Sequence, residues 1–354
     1  MAYTTIDDPS AYFHTQLYTG TGSELSVTNG ANAGDFKPDW IWIKQRNAGS
    51  TDYGMFDSSR GVTKNLKTNT DDLESTEAQS VKTFNTDGFT LGTSGDYNGS
   101  SDTHVAWQWK ANGGTTASNS NGSITSTVQA NTTAGFSIIT YTGNATADAT
   151  VGHGLSAAPQ VYWCKGRTYD GGAINWIAEW SAFTSGSPNL NLDRAPINYS
   201  GDSPLMTAQA TTITHTTARG ELNDSGTHVI YCWTPIQGYS KFGSYTGNAN
   251  ADGPFIYTGF KPAWLLIKRT DSSGNWVLID SKRDAFNQAG LDLNPDSNAA
   301  ENSSTSYYGI DLLSNGFKLR NGNAETNGDG TTNVYMAFAE NPFVSSEGIP
   351  TTAR

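Results

Sequence analysis

Charge is what this sequence has least of. Asp, Glu, Lys and Arg supply only 15% of its 354 residues, and the balance is acidic, with a net charge of −12. Nucleic-acid binding needs a basic surface that releases counterions, so nucleic acid is excluded as a partner. Anionic membrane surfaces are disfavoured on the same ground. Long apolar runs are missing as well; nothing approaches the ~20 residues of a membrane-spanning helix, so no membrane insertion is expected. Residues 1–10 hold Asp7 and Asp8 and no apolar stretch, so no signal peptide is expected. Cysteine is scarce. Cys164 and Cys232 are too few for a disulfide framework and lie outside any metal-ligand spacing, which leaves buried thiols on strands. Helical periodicity is absent, and so are the nucleophile elbow, the P-loop and His-Glu-x-x-His.

What the chain has in abundance is Gly, Ser, Thr and Asn, together with 11% aromatic residues. Thr, Tyr, Trp and Val favour strands, and Gly with Asn favours tight turns, so the composition reads as all-β. One phrase recurs. Phe36-Lys37-Pro38-Asp39-Trp40-Ile41-Trp42-Ile43-Lys44 returns as Pro159-Gln160-Val161-Tyr162-Trp163-Cys164-Lys165, and again as Phe260-Lys261-Pro262-Ala263-Trp264-Leu265-Leu266-Ile267-Lys268. Tyr-Thr-Gly precedes each copy, at Tyr18, Tyr141 and Tyr245, and a closing apolar strand begins at Val105, Val229 and Val334. From tyrosine to valine the separations are 87, 88 and 89 residues. A period near a hundred residues is the size of a domain, not of a solenoid turn.

The expectation is therefore three tandem β-sandwich domains with extended terminal arms. Residues 1–12 form an N-terminal attachment arm, 13–111 repeat 1, 112–134 a Gly/Ser/Thr/Asn linker, 135–241 repeat 2, 242–343 repeat 3, and 344–354 a tail. Periodicity does not separate a lectin-like jelly roll from an immunoglobulin-like sandwich; the strand number and a long connection lean toward the jelly roll. The uncharged linker reads as a flexible tether, so the first domain is expected to be the most independent, with each domain burying its own core.

Candidate chemistry is sparse. His104 and His228 hold equivalent places before the closing valine, and the third copy has Asn333 there, which points to a strand-entry hydrogen bond rather than a general base. Asp57 and Asp280 are equivalent, with Glu179 nearby in the middle copy. One carboxylate per repeat is not the acid–base pair of glycoside hydrolysis, and pairing with Arg60 and Arg283 accounts for the two aspartates. No catalytic residue is expected. Asp96, Asp102, Asp224 and Asp329 sit in oxygen-rich loops that could offer ligands to Ca²⁺, although Asn-Gly and Asp-Gly turns account for the same composition. Trp40, Trp42, Trp107 and Trp109 read as core. Tyr53, Tyr97, Tyr169, Tyr307 and Tyr308 lie in loops and are the candidates for contact with a ligand such as a sugar.

Thr4-Thr5-Ile6-Asp7-Asp8-Pro9-Ser10-Ala11-Tyr12-Phe13, the Tyr-Thr-Gly marks, the Phe-Lys-Pro-x-Trp strands and Phe56-Asp57-Ser58-Ser59-Arg60-Gly61 resemble an uncharacterised repeat domain. That domain occurs in virion structural and tail-fibre proteins of tailed bacteriophages, especially marine ones. The likeness spans the chain but weakens in the middle repeat, which lacks Phe-Lys-Pro and Asp-Ser-x-Arg. It implies a non-enzymatic virion component (fibre, knob or capsid decoration) made in the host cytoplasm and held by other virion proteins, with homo-oligomerisation expected. The alternative is an adhesin that binds a host surface glycan.

Overall fold

A computed structural model of the chain describes residues 2–30, 36–181, 192, 204–302, 304 and 307–350. Each repeat builds a main antiparallel sheet from four segments. An opening strand (Phe13–Thr19, Phe136–Thr142, Ser240–Thr246) pairs with the closing strand (Thr103–Trp109, Thr227–Trp233, Thr332–Pro342). The closing strand pairs in turn with the motif strand (Trp40–Gln45, Val161–Gly166, Phe260–Arg269). A short strand (Gly54–Asp57, Ile177–Trp180, Val277–Asp280) completes the order. A three-stranded second sheet covers one face of each: Leu25–Val27 with Phe89–Leu91 and Val81–Phe84, Ala149–Gly152 with Thr212–His215 and Met206–Ala208, and Phe255–Tyr257 with Gly316–Leu319 and Ile310–Leu313. The protein is all-β, as expected, and every module is a two-layer sandwich.

The alternation of side chains along the motif strands decides how the modules are arranged. Ile41 and Ile43, Tyr162 and Cys164, and Leu265 and Ile267 face the second sheet of their own module. Trp40 and Trp42, Val161 and Trp163, and Trp264 and Leu266 face the other way, into one cluster shared by all three modules. All ten tryptophans of the chain lie in that cluster. Trp40 meets Trp233 at 5.5 Å and Phe136 at 5.9 Å, Trp42 meets Trp163 at 6.0 Å, and Trp109 meets Trp264 at 5.6 Å and Phe338 at 5.5 Å, all between ring centroids.

The picture of independent domains on a string therefore needs correction. The motif strands carry bulk on both faces because one face is covered by their own module and the other by the two remaining modules. The first module is as deeply engaged as the others. The uncharged stretch at 112–134 is not a tether either: Ala117–Asn119 and Ser126–Asn131 add two strands to the second module's main sheet, and Ile124 and Val128 are buried in its outer core.

The N-terminal arm is likewise committed to its own chain. Thr4 Oγ1 donates to the Gln237 carbonyl at 2.8 Å, and Tyr3 Oη to the Gly259 carbonyl at 2.7 Å. The backbone N–H of Ser346, in the tail, donates to Asp7 Oδ1 at 2.7 Å, and Ile6 is buried in the central cluster. Residues 351–354 of the tail lie outside the described ones. Ile6→Ala should cost about 2–5 kcal/mol, as for other buried isoleucines; a urea midpoint equal to that of the parent would show that the arm is not part of the core.

Candidate functional site

The modules close head to tail through repeated polar contacts at the rim of the aromatic cluster. The second module meets the first through Tyr231, whose Oη donates to Asp57 Oδ2 at 2.6 Å. Arg60 binds the same carboxylate and reaches Glu74 at 3.0 Å, and Glu74 takes a bidentate pair from Arg167 at 2.8 and 2.9 Å. The first module meets the third in the same way. Trp107 Nε1 donates to Asp280 Oδ2 at 3.0 Å, Arg283 reaches Glu301 at 3.0 Å, and Glu301 takes Arg46 at 2.7 and 2.9 Å. Strand register makes Trp107 and Tyr231 equivalent, and likewise Asp57 and Asp280. Asp57, Arg60, Asp280 and Arg283 have fully buried side chains, so each charge depends on its partner.

At the third junction the same positions hold Met336 and Trp180. A thioether offers no strong donor and an indole no acceptor, so the polar lock is replaced by apolar packing: Trp180 lies tilted against Trp276, 5.7 Å between ring centroids, and gives its Nε1–H to the Tyr335 carbonyl at 3.3 Å. Donor and acceptor have been lost together. That pairing accounts for the middle repeat's missing Asp-Ser-x-Arg.

Two buried titratable groups in the second module give the fold a pH signature. Burial pushes the Glu179 carboxyl up to about 8 against the pull of the Leu205 and Met206 N–H groups, and the register places it opposite Tyr162, where the other modules have Phe56 and Ile279. Glu179 is protonated in the fold while the unfolded chain ionises near 4.5; its contribution is full below that value and is lost as pH rises through 8. His215 occupies the register position of Leu91 and Leu319, and burial pushes it down to about 3. Its contribution is full above 6.5 and is lost as pH falls below that value. Thermal melts of Glu179→Gln between pH 5 and 8 should lose the alkaline decline, and His215→Leu should lose the acid one. Unchanged pH profiles would show that neither group titrates with folding.

The remaining sequence candidates separate by burial. Tyr53, Tyr97 and Tyr308 are buried and so offer no ring to a surface ligand: Tyr53 lies under Lys44, Tyr97 donates nothing outward but takes the Asn65 amide at 2.8 Å, and Tyr308 binds Glu325. Nearby Gly, Ser and Asp mark a loop without showing which of its side chains fold inward, which is why composition suggests a surface place for all three. Tyr169 and Tyr307 are exposed. Asp96, Asp102, Asp224 and Asp329 are not brought together, and among the described residues no three His, Cys, Asp or Glu side chains form a metal-ligand group. His104 and His228 do hold strand-entry bonds, to the Asp102 and Gly226 carbonyls at 3.2 and 3.1 Å, while Asn333 reaches the Thr331 carbonyl at 3.4 Å.

Sequence reading missed two threefold devices. Asn98, Asn223 and Asn327 are buried and accept the N–H of Thr21, Asn144 and Asn248, just past each Tyr-Thr-Gly, at 2.8, 3.0 and 2.9 Å. The Tyr18, Tyr141 and Tyr245 hydroxyls donate to the carbonyl of the residue before that asparagine. The recurrence of Asn six or seven residues before the closing valine was the available signal. The motif lysines Lys44, Lys165 and Lys268 are buried too, with Nζ 5.5, 5.6 and 5.9 Å from the ring centres of Tyr53, Trp176 and Trp276 and bonded to loop carbonyls. Burial lowers Lys44 to about 8.

Surface clefts open along the module junctions. One of about 390 Å³ is lined by Asp8, His14, Lys282 and Glu340. A second of about 440 Å³ is lined by Tyr3, Gln160, Gln237, Lys241, Phe242 and Tyr257. A third of about 530 Å³ is lined by Tyr12, Lys110, Asn112 and Asn131. Away from these, Tyr169 and Asp224 share a polar pocket of about 200 Å³ with Asp170.

Fold and site together define an all-β protein of three repeated sandwiches closed around one aromatic core, with clefts at the module junctions. The chain belongs to the family described as Domain of unknown function (DUF7483), which matches residues 8–342. The matched span takes in all three modules. No curated protein and no solved structure matches the chain.

Proposed function

We propose that the protein is a non-enzymatic structural component of a tailed-phage virion, a fibre, knob or capsid decoration, held by contacts with other virion proteins. The observation that carries this reading is the closure of three sandwiches on one aromatic core, which makes a rigid block of folded mass. The polar groups fit a scaffold. The histidines at strand entries bind backbone carbonyls, and the aspartates the modules share are neutralised by arginine. A head-to-tail ring that closes within one chain leaves no open copy of that contact, so further association uses the outer surface. The resemblance of the repeated phrases to virion and tail-fibre domains supplies the setting. Mass spectrometry of purified particles of the encoding phage should find the protein at a fixed stoichiometry. Its expression in infected cells without recovery in particles would overturn the proposal.

A further inference from the structure

The three modules act as internal controls for one another, and at one place the third departs from the other two. Its strand Phe255–Tyr257 is the edge of the outer sheet. Phe255 and Tyr257 turn to the same side and stand 45% and 47% exposed, while Ile256 between them is buried. Register against the neighbouring strand puts Ser26 and Thr28 at those places in the first module, and Thr150 and Gly152 in the second. The fold itself thus has no need of aromatic rings there. Tyr257 is braced by Lys241 and Tyr3, but two large rings left about half exposed on one side of an edge strand, where the other modules carry small residues, mark a contact surface.

The surroundings narrow the chemistry. Tyr257 lines the 440 Å³ cleft, where Tyr3 Oη lies 3.2 Å from its hydroxyl and is itself anchored on the Gly259 carbonyl. The Lys241 ammonium stands 5.2 Å from the centre of the Tyr257 ring and donates to the Tyr257 carbonyl at 2.7 Å, which holds the strand and ring in place. Gln160 and Gln237, both exposed, carry amides at the same cleft. Residues two apart on a strand are spaced by about 6.4–6.8 Å along the backbone, within the reach of two linked sugars. An apolar peptide would cover the rings but leave the exposed Gln160 and Gln237 amides unanswered. A pyranose answers both, with a C–H face for the rings and hydroxyl edges for the polar groups.

We propose that Phe255 and Tyr257, with Tyr3, Lys241, Gln160 and Gln237 beside them, form an oligosaccharide-binding platform on the third module. This function goes beyond a structural role and is tested apart from it. Full-length protein is applied to an array of neutral and uronic-acid oligosaccharides, and the strongest array member is then titrated calorimetrically. The key variant, Phe255→Ser with Tyr257→Thr, installs the first module's own residues, so its melting temperature should stay within a few degrees of the parent. Binding by the parent and at least a tenfold loss in that variant is the expected result. A folded parent that retains no oligosaccharide would overturn the platform, as would a folded variant that binds unchanged. Particles that lose the variant while the parent binds no sugar would assign the patch to a protein contact and likewise overturn it. Recovery of the parent protein in virions tests the structural role, and the binding results leave that test untouched.

Discussion

Trp40→Ala is expected to destabilise the whole chain by about 3–5 kcal/mol, the range for truncating a buried aromatic residue. Trp40 sits on the first module's motif strand, yet its ring contacts Trp163, Tyr231 and Trp233 of the second module at 6.1, 4.9 and 5.5 Å, as well as Trp109 of its own at 4.4 Å. The cavity would open between modules, where no single sandwich can collapse to fill it. Denaturant unfolding should therefore show one transition moved to lower concentration, detected alike by tryptophan fluorescence and far-ultraviolet circular dichroism. A first phase that affects about a third of the signal, with the remainder unmoved, would place Trp40 in a private core instead.

The second large effect is expected from Asp280→Ala. Its carboxylate takes the Arg283 guanidinium, the N–H of Lys282 and Arg283 at 3.1 and 2.9 Å, and the Trp107 indole of the first module. Removing it leaves the buried Arg283 paired with Glu301 alone and takes the acceptor from the Trp107 indole and two backbone N–H groups, and breaking such a buried pair typically costs about 3–5 kcal/mol. The informative comparison is the triple replacement Asp280→Leu, Arg283→Met, Trp107→Phe. With the charged pair and the indole donor gone, it should recover most of the loss, because apolar substitutes for a buried pair are often near neutral; the Lys282 and Arg283 N–H groups, which lose the carboxylate in both variants, set what is not recovered. The third junction already works in that manner with Trp180 and Met336. Equal destabilisation of the single and triple variants, measured by urea unfolding, would mean that packing and not the broken pair sets the cost.

Much of this architecture could be read from residues alone. The phrase from Pro38 to Lys44, its two echoes and the closing strands after Val105, Val229 and Val334 located the main sheets, because alternation on a strand is a local property. The tryptophans at 40, 42, 107 and 109 were legible as core for the same reason. What lay beyond reach was the partner of each face. Trp40 and Ile41 look alike in a pattern that records only bulk, and nothing local says that one faces a sheet of the same module and the other a different module. The equivalence of Asp57 and Asp280 was visible, but their donors, Tyr231 and Trp107, are 174 and 173 residues away in sequence. Loop composition is misleading at Tyr53 and Tyr97, whose rings pack into hydrophobic clusters against Trp42 and Phe56, at 5.8 and 5.3 Å between ring centroids. The exposed pair at Phe255 and Tyr257 went unnoticed because alternation alone does not distinguish a covered face from an open one; only comparison with Ser26 and Thr28 in aligned register exposes the difference.

Calorimetry of the full chain bears most directly on the shared core. If the three sandwiches unfold as a unit, a single heat-absorption peak is predicted, with a van't Hoff enthalpy matching a calorimetric enthalpy of about 250 kcal/mol near 60 °C, the value for a cooperative unit of this length. Resolved peaks, or a van't Hoff enthalpy of about 80 kcal/mol as for a unit one third as long, would contradict it and return the protein to three separate domains.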